Sequence, residues 1–297
     1  MGALQPATTN SYLSIVQIFL EWAARRYIPS TRTTTKALLA NTLCVIEGAF
    51  EASRLRGKAP ARCIGLTQQE IKQFMAILSP TDPRNPFRTS HRIRNLLICE
   101  TLYETGIRRG ELLKLKVEDV TSLRDGFYLN LVRRPDDKED WRLNEPAQKT
   151  LPRIVAITRE LYELMIVYIR NHRRPKRQGR PIKLSHSYLF VSERGFPLSE
   201  SQVNYIIDTV EKLRSPAGNR AHPHAFRHSF CTMFLEHCAG VERLDEEASK
   251  DRLRQICGWA AGSTMPERYT ANRLQAQANI MNRRRLEIIR ANGNVSI

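Results

Sequence analysis

The most informative stretch of this chain is TGIRRGELLKL, at residues 105–115. Gly106 ends one helical pattern, and Glu111 opens the next. Arg108 therefore lies at a corner between two predicted helices, where its guanidinium would be held rigidly. A planar guanidinium matches two non-bridging oxygens of one phosphate, which a lysine does not. Taken alone, however, an arginine at a helix start is more often a surface charge than a phosphate ligand.

A second polar cluster is HPHAFRHSF, at residues 222–230. His224 and Arg227 are three residues apart, so they share one face of a predicted helix and place a proton-transfer group beside a permanent cation. One alternative is that His224 is a core histidine. The other is a zinc site formed with nearby residues, for which the candidates are His228, Cys231, His237 and Cys238. We disfavour zinc because these ligands follow no recognised spacing and Arg227 would repel the metal ion.

The third cluster is CGWAAGSTMPERYT, at residues 257–270. It places Tyr269 ten residues after Trp259, and Tyr269 is the only tyrosine after Tyr205. A tyrosine hydroxyl has a pKa near 10, so it acts as a nucleophile only where neighbouring cations favour the phenolate. Taken singly, each of these two aromatic residues is more typical of a core than of a reactive site.

Hydrophobic periodicity predicts a mainly α-helical chain with a small antiparallel β-sheet, an α+β fold. Two helical patterns fill the first 60 residues, and a basic, turn-prone stretch at 53–62 follows them. A capping box at Thr67 and Glu70 then starts a helix that ends near residue 79. Strands are predicted at 127–132 and 153–157, and further helices at 93–103, 161–169, 199–213, 224–237, 252–257 and 272–290. The basic run at 172–180 is predicted to be a loop, more typically a solvated linker than a DNA contact.

Charge and composition indicate the class of partner. The chain has 47 Lys and Arg against 30 Asp and Glu, a formal charge of +17, which is typical of proteins that bind a polyanion. No apolar run approaches the roughly 18 residues that a membrane span needs, and the N-terminus lacks the features of a secretory signal. Six cysteines without a C-x-x-C pair indicate reduced thiols. We therefore expect a cytoplasmic protein that makes no membrane contact.

Taken together and in order, the three clusters resemble the tyrosine recombinase (phage integrase) family, from about Gly65 to the C-terminus. That family carries G-[LIM]-R-x-[SG]-E-[LA], a lysine on a β-hairpin, H-x-x-R, G-[HW] and then a tyrosine. The resemblance implies a catalytic set of Arg108, Lys149, His224, Arg227, Trp259 and Tyr269. Lys149 matches the hairpin lysine because it precedes a strand similar to R-x-[VI]-P-[LI], and Lys138 is the rival because the loop is long.

Two features depart from the family's pattern. The spacing from Trp259 to Tyr269 is one residue longer than usual, which bears on the register of the nucleophile. The N-terminal helical unit is also shorter than the family's DNA-binding domain. We therefore expect a short all-α, DNA-clamping domain at 1–60 and a catalytic domain of tyrosine recombinase type, with a C-terminal helix, at 61–297.

The resemblance implies a site-specific recombinase or integrase that cleaves and rejoins DNA through a 3′-phosphotyrosyl intermediate, without cofactor or metal. The implied partners are double-stranded DNA and further copies of the chain, which form a tetramer during synapsis, in a nucleoid-associated protein. The alternatives are a type IB topoisomerase, which relaxes DNA, and a DNA-binding protein with a decayed site. The C-terminal helix docks either on a neighbouring protomer or on its own chain.

Overall fold

The computed structural model describes residues 5–29, 31–56, 65–215 and 221–292. The chain divides into two compact units, residues 1–62 and 63–297. The basic stretch predicted at 53–62 is described only as far as residue 56, so the rest of it lies outside the described residues. Within the described ranges, no helix is both long enough and apolar enough to cross a bilayer.

The first unit is a pair of helices, α1 at Pro6–Tyr27 and α2 at Thr33–Ser53. The Asn10 side chain donates to the Leu55 carbonyl and accepts from the Leu55 N–H, both at 2.9 Å, which ties the start of α1 to the chain that follows α2. Ala24 is the only buried apolar residue among the described positions of this unit, and most large apolar side chains of α1 are exposed. This pair of helices therefore has almost no core of its own.

The second unit contains all the strands of the described chain. Its helices are α3 (Gln68–Leu78), α4 (Thr89–Thr105), α5 (Arg109–Lys114), α6 (Arg159–Val167), α7 (Glu200–Arg214), α8 (Pro223–Gly240), α9 (Glu246–Cys257) and α10 (Met265–Asn292). Its strands are β1 (Val120–Leu123), β2 (Gly126–Leu131), β3 (Arg153–Ile157), β4 (Lys176–Arg177) and β5 (Arg180–Pro181). A 3-10 turn at Val117–Asp119 precedes β1, and a π-helical turn at Tyr168–His172 follows α6. The predicted fold class, mainly helical with a small antiparallel sheet, is confirmed.

Helix α4 runs through the middle of the core. Its residues Leu97, Ile98 and Leu102 are fully buried, and it packs against α3, α6 and α8. Helix α3 begins at the predicted capping box, in which Thr67 Oγ1 accepts from the Glu70 N–H at 3.2 Å and the Glu70 carboxylate accepts from the Thr67 N–H at 2.8 Å. This packing fixes the C-terminal end of α4, where the first informative cluster begins.

The sheet lies in the order β1-β2-β3, with both pairs antiparallel. Leu129 of β2 faces Val120 of β1 and Val155 of β3, and Leu129 and Val155 are buried. The prediction found β2 and β3 but missed β1. This strand is only four residues long and half of it is exposed, so its sequence carries little periodicity.

Three segments differ from the prediction. Helix α9 begins at Glu246 rather than 252, because the Asp245 side chain caps it by accepting from the Ala248 N–H at 2.7 Å. Helix α10 begins at Met265 rather than 272, since Pro266 lies in the first turn, where its missing N–H costs no hydrogen bond. The run at 172–180 is not a loop: it forms the end of the π-helical turn and most of the β4–β5 hairpin.

Candidate active site

The corner between α4 and α5 is fixed by two glycines. Gly106 ends α4 in the left-handed conformation, at φ 59°, and its N–H donates to the Leu102 carbonyl at 3.1 Å. A Cβ at Gly106 would overlap the ring of Phe230, and a Cβ at Gly110 would overlap the Ala147 carbonyl. Both positions therefore need glycine, and the backbone between them presents Arg108 as predicted.

Glu111 lies at the centre of a buried polar cluster, here called the Glu111 cluster, with Thr150 and Arg153. Its carboxylate accepts from the Arg108 N–H at 2.7 Å, from Arg153 Nη1 at 2.6 Å and from the Thr150 hydroxyl. Burial opposes ionisation of Glu111, but the hydrogen bonds from Arg153 and Thr150 outweigh it, so the pKa of Glu111 lies below its usual value. The cluster joins the corner at Arg108 to strand β3.

Arg227 projects from α8 into the core and is only 2% exposed. Its Nη1 donates to the Gly106 carbonyl at 2.6 Å, and its Nη2 donates to the Cys257 carbonyl at 3.1 Å. These carbonyls stand at the C-terminal ends of α4 and α9, where the helix dipole favours a cation. Among the described residues, no carboxylate lies within 4.0 Å of this guanidinium.

Gly258 turns the chain at the end of α9 and presents Trp259. Its φ is 64°, and its carbonyl accepts from the Leu151 N–H at 2.9 Å, which holds this turn against the start of β3. The Trp259 ring lies 5.1 Å from the Arg227 guanidinium and stacks on Tyr269, with ring centroids 5.8 Å apart and an interplanar angle of 19°. Residues of the three sequence clusters therefore contact one another through Arg227, which meets both Gly106 and Trp259.

Two hydrogen-bond donors at this site have no partner among the described residues. Arg108 Nη1 and Trp259 Nε1 are both buried, and neither finds an acceptor within the described part of the chain. A buried donor without an acceptor costs roughly 1–3 kcal/mol. Phosphate oxygens are acceptors that would satisfy both donors.

A cavity of about 610 Å³ opens beside the corner. Arg108, Lys149 and His224 all line it, so the structure brings three of the six predicted residues to one opening. Lys149 is exposed and makes no ion pair within the described residues, whereas the rival Lys138 lies in a turn away from the lining. Burial, together with the charges of His222 and Arg227, lowers the pKa of His224 below its usual value, so its imidazole is neutral at pH 7.

Tyr269 does not line this cavity. It is 4% exposed and lies in an apolar cluster with Trp259, Cys231 and Cys257, whose free thiols are 3.6 Å apart. Burial, with the neighbouring Cys231, raises the pKa of the Tyr269 hydroxyl above its usual value. The neighbouring ring of His228 lies 5.3 Å away, and burial lowers its pKa to about 4. In this conformation Tyr269 is therefore a protonated phenol packed behind the cavity.

The residues considered for zinc are not brought together. Cys231 contacts Cys257, and His237 lies 3.2 Å from Glu242 on the surface. In the described ranges, no three His, Cys, Asp or Glu side chains are arranged to hold a metal ion.

The sequence placed Glu111 at the start of a helix but did not indicate Thr150 and Arg153 as its partners. A partial signal for Arg153 was present, because it opens an otherwise apolar strand, and an arginine that is buried in such a place needs a polar or charged partner. No signal indicated Asn204 and Asp208, which line the cavity from α7, since distant segments meet there only in the folded chain.

The phage integrase family model matches residues 65–275 of this chain. The chain therefore belongs to the phage integrase family.

Two curated relatives show how far the likeness extends. Tyrosine recombinase XerC of Bacillus pumilus is 27% identical over 183 residues, which cover 61% of this chain and 51% of that protein. Tyrosine recombinase XerA of Pyrococcus furiosus is 27% identical over 198 residues, covering 66% of this chain and 57% of that protein. The chain thus spans about half the length of the curated relatives that it matches.

Solved structures share the fold. XerH recombinase bound to its palindromic difH substrate superposes with a TM-score of 0.55 at 15% identity, over 94% of this chain and 73% of that one. The Tn1549 transposon integrase, in complex with transposon right-end DNA, superposes with a TM-score of 0.51 at 18% identity. The superposition covers 91% of this chain and 85% of that one. At these identities the likeness establishes the fold alone.

The Glu111 cluster gives a first prediction. Replacing Glu111 with Gln leaves Arg153 buried without its counter-ion, so we expect the free energy of unfolding at pH 7 to fall by about 3–5 kcal/mol in urea denaturation. Glu163→Gln is the matched control, because Glu163 pairs with Arg159 on the exposed surface at 3.8 Å. That change should cost less than about 0.5 kcal/mol.

The pH dependence of this loss has a defined sign. Because the pKa of Glu111 is lowered by folding, its carboxylate stabilises the fold at high pH, and this contribution disappears as the pH falls through the folded-state pKa. The gap between the wild type and Glu111→Gln should therefore shrink in acid. If Glu111→Gln and Glu163→Gln lowered the free energy of unfolding by similar amounts at pH 7, this account of the cluster would be contradicted.

Proposed function

We propose that this chain is a site-specific DNA recombinase or integrase that cleaves and rejoins strands through a 3′-phosphotyrosyl intermediate. Membership of the phage integrase family supports this proposal. The observation that carries it is the pair of buried, unpartnered donors, Arg108 Nη1 and Trp259 Nε1, in a site with a charge surplus. A phosphodiester supplies both the missing acceptors and the missing negative charge.

Arg108 and Arg227 would stabilise the phosphorus centre as it becomes five-coordinate. Arg227 is held by two helix-end carbonyls, so it contributes a fixed charge that needs no rearrangement during the reaction. Arg108 retains a free Nη1 to donate directly to a phosphate oxygen. Two fixed cations fill the electrostatic role that Mg²⁺ has in other phosphoryl transfers, so we propose that the reaction needs no metal.

The cleavage step balances with the residues present. The Tyr269 oxygen attacks phosphorus, the bond from phosphorus to the 5′-oxygen breaks, and the free 5′-hydroxyl is released. Neutral His224 accepts the phenol proton, and Lys149 donates a proton to the departing 5′-oxygen. Rejoining reverses each transfer, because the phosphotyrosyl bond retains the energy of the phosphodiester.

Tyr269 has to move before it can react. Its ring is buried behind Trp259, and its side chain is not part of the cavity that Arg108, Lys149 and His224 line. We propose that bound DNA draws the start of α10 toward the cavity and that the hydroxyl then meets the phosphate.

The wider assembly is also part of this proposal. We infer that residues 1–60 form a helical clamp on duplex DNA and that four copies assemble on DNA during synapsis, in a cytoplasmic, nucleoid-associated protein. Apolar residues of α10, including Ile280, Met281 and Ile288, are at least half exposed, which supports docking on a neighbouring protomer.

The nucleophile is tested by trapping the covalent intermediate. Nicked duplexes carrying candidate sites are mixed with the protein in EDTA, and adducts are resolved on a denaturing gel. We expect an adduct in the wild type and in the control Tyr162→Phe, and none in Tyr269→Phe, since only Tyr269 supplies the attacking oxygen. DNA binding without any adduct would favour the decayed site, and relaxation without strand exchange would favour the topoisomerase.

The role of His224 is tested by the pH dependence of single-turnover cleavage. A base whose pKa is lowered stays neutral from pH 8 down to its ordinary value near 6.5, so the rate should fall only below that pH. His224→Gln should lower the rate by about 10²–10⁴-fold and remove this acid limb. His237→Gln, at an exposed surface position, should leave the profile unchanged. An acid limb that persists in His224→Gln would assign the proton to another group.

A further inference from the structure

A second cavity, of about 310 Å³, lies at the N-terminal end of α4. Ser90 and His91 of the first turn and Arg94 of the second line one side of it, and the segments around residues 171–176 and 191–193 close the rest. The lining residues Ser90 and Arg94 lie 16 and 12 residues before Gly106, so at about 1.5 Å per residue they are roughly 18–24 Å along the helix axis from that corner. It is therefore separate from the candidate active site.

Buried positive charge surrounds this cavity. Arg94 is 8% exposed and donates only to neutral acceptors, the Asn95 side chain at 3.0 Å and the Val191 carbonyl at 2.9 Å. The neighbouring Arg173 is 9% exposed and donates to the carbonyls of Tyr188 and His186, both at 3.0 Å. In the described part of the chain, no carboxylate lies within 4.0 Å of either guanidinium. Buried charges are normally paired directly, whereas here the nearest acidic influences are the longer-range ones of Glu193 on Arg94 and of Glu139 on Arg173.

The rim of the cavity adds further positive charge. Arg174 and Lys176 line the opening, are exposed, and make no ion pair within the described ranges. The carboxylate in the lining belongs to Glu193, which pairs with Arg88 at 3.0 Å. The rim thus carries two cations that have no ion-pair partner in the described ranges, in the same cavity as the buried guanidinium of Arg94.

The β4–β5 hairpin holds these cations in place. Arg177 pairs with Arg180 across a turn formed by Gln178 and Gly179, with φ values of 51° and 79°. The Ile182 N–H donates to the Pro175 carbonyl at 2.8 Å and closes the base of the hairpin. Arg174 and Lys176 flank Pro175, so they are presented by an ordered element. An ordered backbone loses less conformational entropy on binding an anion than a mobile loop does.

We propose that this cavity is a second phosphate-binding site, which holds a backbone phosphodiester of duplex DNA near the opposite end of α4 from the phosphodiester that reacts. The choice of DNA rests on the proposed function. The described lining contains no Phe, Tyr or Trp on which the base of a free nucleotide would stack, and this favours a backbone phosphate.

The test compares two double variants that remove the same charge. Arg174→Gln with Lys176→Gln removes the rim cations, whereas Arg124→Gln with Arg252→Gln removes two exposed cations that line no described cavity. Binding to a duplex is followed by fluorescence anisotropy over a salt series. Each lost phosphate contact lowers the magnitude of the slope of log Kobs against log salt by about 0.9. We expect that decrease in the rim variant and a smaller one in the control.

Three outcomes decide the proposal. A decrease in slope that is larger in the rim variant than in the control supports the proposal, and equal decreases in both variants would overturn it. Calorimetry with inorganic phosphate separates the two sources of the anion: phosphate binding that the rim variant loses, with the DNA slope unchanged, would assign the cavity to a free phosphate and overturn the choice of DNA. The covalent adduct at Tyr269 is measured on the wild type, so failure of the recombinase proposal is distinguished from failure of this one.

Discussion

The buried guanidinium of Arg227 is the interaction on which the site depends. It is held by carbonyls at the C-terminal ends of α4 and α9, whose partial negative charges favour a cation. Each helix ends in a left-handed glycine, Gly106 and Gly258, and the residues presented just beyond these ends are Arg108 and Trp259. One buried charge therefore sets the position of both unpartnered donors. The Glu111 cluster fixes the same corner from the opposite direction through Arg153, which also donates to the end of α9 at Ile256.

This arrangement holds two positive charges, those of Arg108 and Arg227, close to each other. Burial lowers the pKa of Arg108, and the nearby charge of Arg227 lowers it further, so the two guanidinium groups repel each other. A phosphodiester would relieve that repulsion and provide acceptors for both donors, so under the proposed function the same residues account for binding and for preorganisation for phosphoryl transfer. The packed position of Tyr269 fits the same proposal, in which the protonated and buried phenol would have to move before it reacts.

Much of the fold and of the site was predictable from the sequence, for identifiable reasons. Gly106, the capping box at Thr67 and the i, i+3 pair of His224 and Arg227 are each defined by residues close together in the chain. Such local patterns can be recognised from a single sequence. Strand β1, the β4–β5 hairpin and the early start of α10 were missed because short strands and a proline in a first helical turn carry weak periodicity. The second cavity required tertiary packing, since its lining residues come from segments about 100 positions apart.

The most direct test of the central claim is a crystal structure of Tyr269→Phe on an uncleaved duplex. The account predicts that non-bridging oxygens of one phosphate lie about 2.7–3.2 Å from Arg108 Nη1 and Trp259 Nε1, while Arg227 keeps its two carbonyl partners. A phosphate that occupies the cavity and leaves both donors unpartnered would contradict it.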